Sequence, residues 1–274
     1  MKKTFSSKKS AFSLIELSIV LIIIGLLIAG VTGGASLIKN SELRAAISEA
    51  RGYQVAVNGF FSQFNSLPGD YPRQIGTSQS AGPTTGNGDN SRIEYFAADE
   101  VGGGNSESVA AWSQLIQSGT IDPNIVLTYS DVANAQSPGV NMPSSKIKSS
   151  GWHFDYRNGV GVAGDYTNTT NTEAGIVSFQ NVVVLTGSTT AVTDTASTLV
   201  NGTTNAASAS LFGTDAVSID TKVDDGKANT GKVRGLNPGN TTGCYTAAGS
   251  AADYIITTTT SKVCALTFKV DPKG

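Results

Sequence analysis

The sequence predicts an α+β protein: one long N-terminal helix followed by a head of short helices and strands. Three observations predict it. From Phe12 to Ile38 the chain carries a single charge, Glu16, in 27 positions. From Leu43 to Phe64 apolar residues recur at helical spacing. Beyond residue 150, runs rich in β-branched and aromatic residues appear between Gly- and Asn-rich turns.

Composition narrows the functions open to such a chain. Only 15% of its 274 residues are Asp, Glu, Lys or Arg, and the formal net charge is −2, without the basic excess of a nucleic-acid protein. A single histidine, His153, excludes sites that need two imidazoles, such as HExxH zinc peptidases.

The first element is a basic leader, residues 1–11, with Lys2, Lys3, Lys8, Lys9 and no acid. The apolar run 12–38 that follows is long enough as a helix to cross the ~30 Å hydrocarbon core of a bilayer. Lysines before the span place the N-terminus in the cytoplasm and the chain after residue 39 outside it. An ordinary secretory signal peptide, cut near Ala29 or Ala35, is the competing reading. Against it stand the length of the run and the carboxylate at Glu16, a group that calls for a partner inside a membrane.

The pattern continues past Lys39. Leu43, Ile47, Ala50, Val57, Phe61 and Phe64 form one stripe interrupted by Gln54, with Glu42, Arg44, Glu49 and Arg51 on the wet side. Leu67-Pro68-Gly69-Asp70 reads as the stop. The expectation is one helix over about 12–64, apolar all round in its first half and one-sided in its second.

The residues Phe12-Ser13-Leu14-Ile15-Glu16-Leu17, opening an apolar helix behind a short basic leader, resemble those of type IV pilins and the related pseudopilins of type II secretion. That resemblance implies cleavage by a membrane aspartyl prepilin peptidase between Ala11 and Phe12, and N-methylation of Phe12. It implies that Glu16 pairs with a neighbouring subunit's terminal amine. It also implies a head (67–274) on an antiparallel sheet, and association with other copies or related subunits. The amphipathic half is 39–66, and the chain waits in the inner membrane before entering a surface or periplasmic filament. A structural subunit of a type IV pilus or related filament is the leading function. A type II secretion pseudopilin and a signal-anchored periplasmic enzyme or binding protein are the alternatives. The chain has Ala11 where the family usually has Gly, so slower processing is expected. Gly33-Gly34 stands where many members carry Pro, and could soften the helix there.

In the head, 73–105 reads as a polar surface loop. Ser106–Ser118 reads as a core-packing helix with Val109, Trp112, Leu115 and Ile116 on one side and Gly119 as its cap. Strand signals fall at Trp152–Tyr156, Gly175–Leu185, Tyr254–Thr260 and Val263–Val270, the last with Cys264, Leu266, Phe268 and Val270 on one face. The stretch 186–210, almost without charge apart from Asp194, is either edge strand or loop. Leu211–Asp225 reads as a helix with Thr214 as N-cap, Ala216, Ile219 and Val223 inward, and Gly226 at its end.

Asp220, Asp224 and Asp225 invite a calcium reading, because some pseudopilins bind calcium in the head. Their spacing is not that of an EF-hand, and they are read as a solvated helix C-terminus; no metal and no cofactor are expected. Cys244 and Cys264, an even pair in an exported chain, read as a disulfide, an arrangement that also resembles the C-terminal clip of pilins. Gly159–Gly164 matches GxGxxG but lacks a following helix, and His153 sits in a strand candidate where a half-buried histidine is ordinary. No catalytic residue is assigned, and the chain is read as a structural protein, not an enzyme.

Overall fold

The computed structural model describes residues 13–73, 75, 93, 107–127, 137–157, 180–188, 208–237, 243–245, 252–257 and 260–272. The leader, Ala11 and Phe12, most of the 73–105 and 186–210 stretches, residues 175–179 and the GxGxxG match lie outside the described residues. The chain divides into two units, Met1–Glu42 and Leu43–Gly274. Helix α1, Leu14–Phe64, contributes residues to both.

In the first unit α1 is apolar on every side: Leu14, Leu26, Val31 and Leu37 are all more than two-thirds exposed. Two of its hydroxyls, those of Ser18 and Thr32, bond back to the helix. Ser18 Oγ donates to the Ile15 carbonyl at 2.8 Å and Thr32 Oγ1 to that of Ile28 at 2.9 Å. Among the described residues this is the one helix long and apolar enough to cross a membrane.

In the second unit α1 buries Leu43, Ala46, Ile47, Ala50, Ala56, Val57 and Phe60. The expected stripe is right in direction and wrong at three positions. Tyr53, not Gln54, continues the row, wedged edge-on between Trp112 (4.8 Å between ring centroids) and Trp152 (5.6 Å). Phe60 is fully buried, whereas Phe61 is only partly so. Glu49 is not on the wet side: it is half-buried and accepts from Ser145 Oγ (2.8 Å), Lys146 N (3.1 Å) and Trp152 Nε1 (2.9 Å). The helix stops where Asn65 takes a left-handed conformation (φ 52°). Gly69 N then donates to Gln114 Oε1 at 2.8 Å, fixing the Leu67–Asp70 turn.

Helix α2, Glu107–Gln117, supplies that glutamine and buries Ala110, Ala111, Trp112, Leu115 and Ile116. Gly119 follows at φ 71°, where its N–H reaches the Ile116 carbonyl, the expected glycine cap.

The sheet holds β1 (Ser150–Arg157), β2 (Gln180–Gly187), β3 (Val233–Leu236) and β4 (Ala265–Lys269) in the order β1-β2-β4-β3, every pair antiparallel. One face, with Trp152, Phe154, Val183, Leu185, Val233, Leu266 and Phe268, joins the aromatic and aliphatic side chains of α1 and α2 in one core. The opposite face is buried as well: Val182, Val184, Leu236 and Ala265 form a second cluster, and His153, Thr186 and Thr267 are enclosed beside it.

Two expectations fail here. Tyr254–Thr260 is not a strand over its described residues: Tyr254 makes one isolated bridge to Tyr245. Its neighbour Ile255 is pinned by other contacts, its N–H on the Cys244 carbonyl (2.8 Å) and its carbonyl against Gly213, where a Cβ would lie 1.9 Å from the oxygen. Helix α3 runs Gly213–Val223 with Phe212, not Thr214, as N-cap, and no side-chain cap bond. Leu211 cannot join it, because reciprocal bonds with Cys264 hold it extended. β3 had no counterpart in the sequence reading.

Candidate functional site

The residues that the sequence singles out near the N-terminus are Ala11, Phe12 and Glu16. The first two lie outside the described residues. Glu16 sits in the first turn of α1, the one charged residue between Leu14 and Ile38. Its Oε2 accepts from the backbone N–H of Ser13 at 2.8 Å. Ser13-Leu14-Ile15-Glu16 is the S-x-x-E spacing of a capping box, in which the third helical residue reaches back to the N-cap nitrogen. That contact was readable from the sequence, and the sequence reading missed it. It uses one carboxylate oxygen to satisfy a donor that the helix start leaves open.

A second group of acids lies at the end of α3. One carboxylate oxygen from each of Asp220, Asp224 and Asp225 lies within 4.8 Å of the others, close enough that the three could hold a metal ion. The expectation of a solvated helix end fails for Asp220, which is fully buried. Its Oδ2 accepts from the Tyr254 hydroxyl at 2.7 Å and its Oδ1 from Gly226 N at 3.2 Å. Burial pushes its carboxyl up to about 7; the two hydrogen bonds oppose that shift, and the Asp225 and Asp224 charges add to it. Asp224 accepts from Lys232 N and Val233 N, and Asp225 from Lys227 N (2.8 Å) and Thr230 Oγ1 (2.6 Å). All three carboxylates thus accept from the chain's own donors, and together they fasten the turn 224–232 between α3 and β3.

Cys244 and Cys264 form a disulfide with Cα atoms 4.7 Å apart, tying the segment before Tyr245 to the start of β4. His153 is wholly enclosed on the second face of the sheet, with Nε2 3.9 Å from Asp155 Oδ2. Desolvation lowers its pKa to about 3, so it is neutral at ordinary pH.

An apolar N-terminal helix with one acid in its first turn, together with a unit built on a four-stranded antiparallel sheet, is an α+β arrangement of the pilin-like kind. The family model for the prokaryotic N-terminal methylation motif matches residues 6–32. The chain therefore carries the prepilin motif of type IV pilins and pseudopilins, which brackets Ala11, Phe12, Ser13 and Glu16. No curated protein and no solved structure matches the chain.

Proposed function

We propose that this chain is a structural subunit of a type IV pilus, made as a prepilin and assembled through its N-terminal helix. The observation that carries the reading is the methylation motif over residues 6–32, coinciding with an apolar helix that holds a single acid in its first turn. In this account residues 1–11 are the leader, and prepilin peptidase cuts between Ala11 and Phe12. Phe12 is methylated, 12–38 spans the inner membrane, 39–66 is the amphipathic half and 67–274 is the head outside it.

Physical chemistry supports the sequence of events. Before cleavage residue 12 is an uncharged amide, and afterwards it is an ammonium near the one carboxylate of the segment. Neutralising that pair lets the terminus stay in an apolar bundle. The helix then exchanges lipid for copies of itself or related subunits, and head-to-tail contacts that do not close extend into a fibre. A low-charge head rich in Gly, Ser, Thr and Asn suits subunits packed closely along such a fibre.

The test is electron microscopy of the cell surface with antibody against the head. Surface filaments that label, and that vanish both in a deletion strain and with Glu16→Ala, are the expected result. Labelled protein confined to the membrane and periplasm of unmodified cells, with no surface filament, would reject the pilus in favour of a secretion pseudopilus or an anchored periplasmic protein.

A further inference from the structure

We propose that the end of the second unit at which the chain enters it is a docking surface for the anionic headgroups of the bilayer, with Lys146, Lys148 and Lys262 as its main contacts. This rests on the reading above, in which residues 12–38 span the inner membrane.

Topology brings the three lysines together. β1 and β4 each pair antiparallel with β2, so they run in the same direction and begin at the same end of the sheet. Lys148 stands just before β1 and Lys262 just before β4, and Lys262 Nζ donates to the Lys148 carbonyl at 3.0 Å. The turn that carries Lys146 and Lys148 is closed by Ser145 N on the Ser150 carbonyl (2.8 Å) and by Ser150 N on the Ile147 carbonyl (3.1 Å). Ile147 is buried in the core between two exposed lysines. Closing the turn puts Ser149 at φ 60°, a conformation unfavourable for a residue with a side chain.

This is also the end at which α1 comes in. Glu49 accepts from Ser145 Oγ and Lys146 N, so it holds the frame of the turn against the helix. Neither 137–152 nor 260–263 contains an Asp or Glu other than those of buried strand positions beyond them. Arg44 and Arg51 are exposed. Seven residues apart, they share the side of α1 that faces away from Ala46, Tyr53 and Phe60. Positive charge therefore stands on two sides of the helix. A partner packed against one flank would meet the lysines or the arginines, whereas a plane across the helix meets both.

Chain length supplies that plane. Ile38, the last residue of the apolar run, precedes Leu43 by five positions, at most about 18 Å of chain. The basic end is thereby tethered near the headgroup layer, where long lysine side chains and a screening length of about 8 Å bring it within range of anionic lipid. A subunit entering a fibre gives up this contact.

The test takes the full chain at one copy per nanodisc, in phosphatidylcholine alone or with phosphatidylglycerol added to about one-third. Mass spectrometry reads how fast each lysine is acetylated by an amine-reactive ester. Lys146, Lys148 and Lys262 should react about fivefold more slowly in the anionic discs, and high salt should remove the difference. Lys222, exposed on α3, should react equally in both, and Lys148→Glu should restore the rate at Lys146. Equal rates in the two discs overturn the proposal. So does slowing that needs assembled subunits and ignores the lipid, which would assign the surface to another copy of the chain. A chain that fails to enter the discs defeats the membrane-span reading itself, whereas an embedded chain with equal rates defeats only the docking surface.

Discussion

Among the described residues Glu49 ties the second half of α1 to the head through three hydrogen bonds, and Glu49→Ala measures how much they hold. Its carboxylate gathers three donors: Ser145 Oγ, Lys146 N and Trp152 Nε1. Their losses are unequal. Lys146 is exposed, so its N–H rehydrates at little cost. Ser145 is half-buried, and its hydroxyl can turn to water. Trp152 is fully buried, so its indole N–H loses a charge-assisted bond and gains nothing, a penalty of about 1–3 kcal/mol.

With a smaller share for Ser145, the total for Glu49→Ala comes to about 2–4 kcal/mol. For a unit of this size that lowers the melting temperature by roughly 10 °C. Glu49→Gln keeps an acceptor for the indole and should lose only about 1 kcal/mol. The assay is thermal or urea unfolding of the full chain in detergent, with Trp152→Phe completing a double-mutant cycle. That cycle should return a coupling of about 1–2 kcal/mol between Glu49 and Trp152. If Glu49→Ala melted within 1 °C of Glu42→Ala, or if the coupling were nil, the claim that this carboxylate holds helix and head together would be wrong.

Three further predictions follow from the head. The pH profile of stability contains two opposed contributions. The folded pKa of Asp220 is raised to about 7, so its contribution is present below the unfolded carboxyl pKa and is lost as pH rises from about 4 to 7. His153 is lowered to about 3, so its contribution is present above about 6.5 and is lost as pH falls through 3. Asp220→Asn should therefore unmask a stability that climbs with pH between 4 and 6.5, by roughly 2 kcal/mol more than in the parent, read from urea midpoints. Gly213→Ala should destabilise the head by 3 kcal/mol or more, order of magnitude, because its Cβ would lie 1.9 Å from the Ile255 carbonyl oxygen; a melting point within 2 °C of the parent would contradict that packing. Cys244→Ser with Cys264→Ser, opening a link between residues 20 apart, should cost about 3 kcal/mol, and reductant should reproduce the loss in the parent only.

What could be read in advance follows the range of the forces involved. Elements set by local pattern were legible: the continuous apolar face of α1, the glycine after α2, and the alternating residues of β4. A capping contact three residues long, Ser13 to Glu16, was legible too but was passed over in favour of the carboxylate's role between subunits. Features decided by distant partners were not legible. Glu49 looks like a surface residue until Trp152 and the 145–146 backbone are brought against it. Asp220 looks like one of three exposed acids until Tyr254 covers it. Tyr254–Thr260 has the composition of a strand, yet its backbone is claimed by Cys244 and the start of α3. β3, four residues with a glycine at its third position, has no alternation to detect and exists because β4 offers it an edge.

The central claim is that this chain is a processed filament subunit, and the mass of its mature N-terminus tests it most directly. Protein recovered from cells with an intact prepilin peptidase should begin at Phe12 and carry one added methyl group on its terminal nitrogen. A mature chain that begins near residues 30–36, or that retains the lysine leader in an otherwise assembled protein, would contradict it.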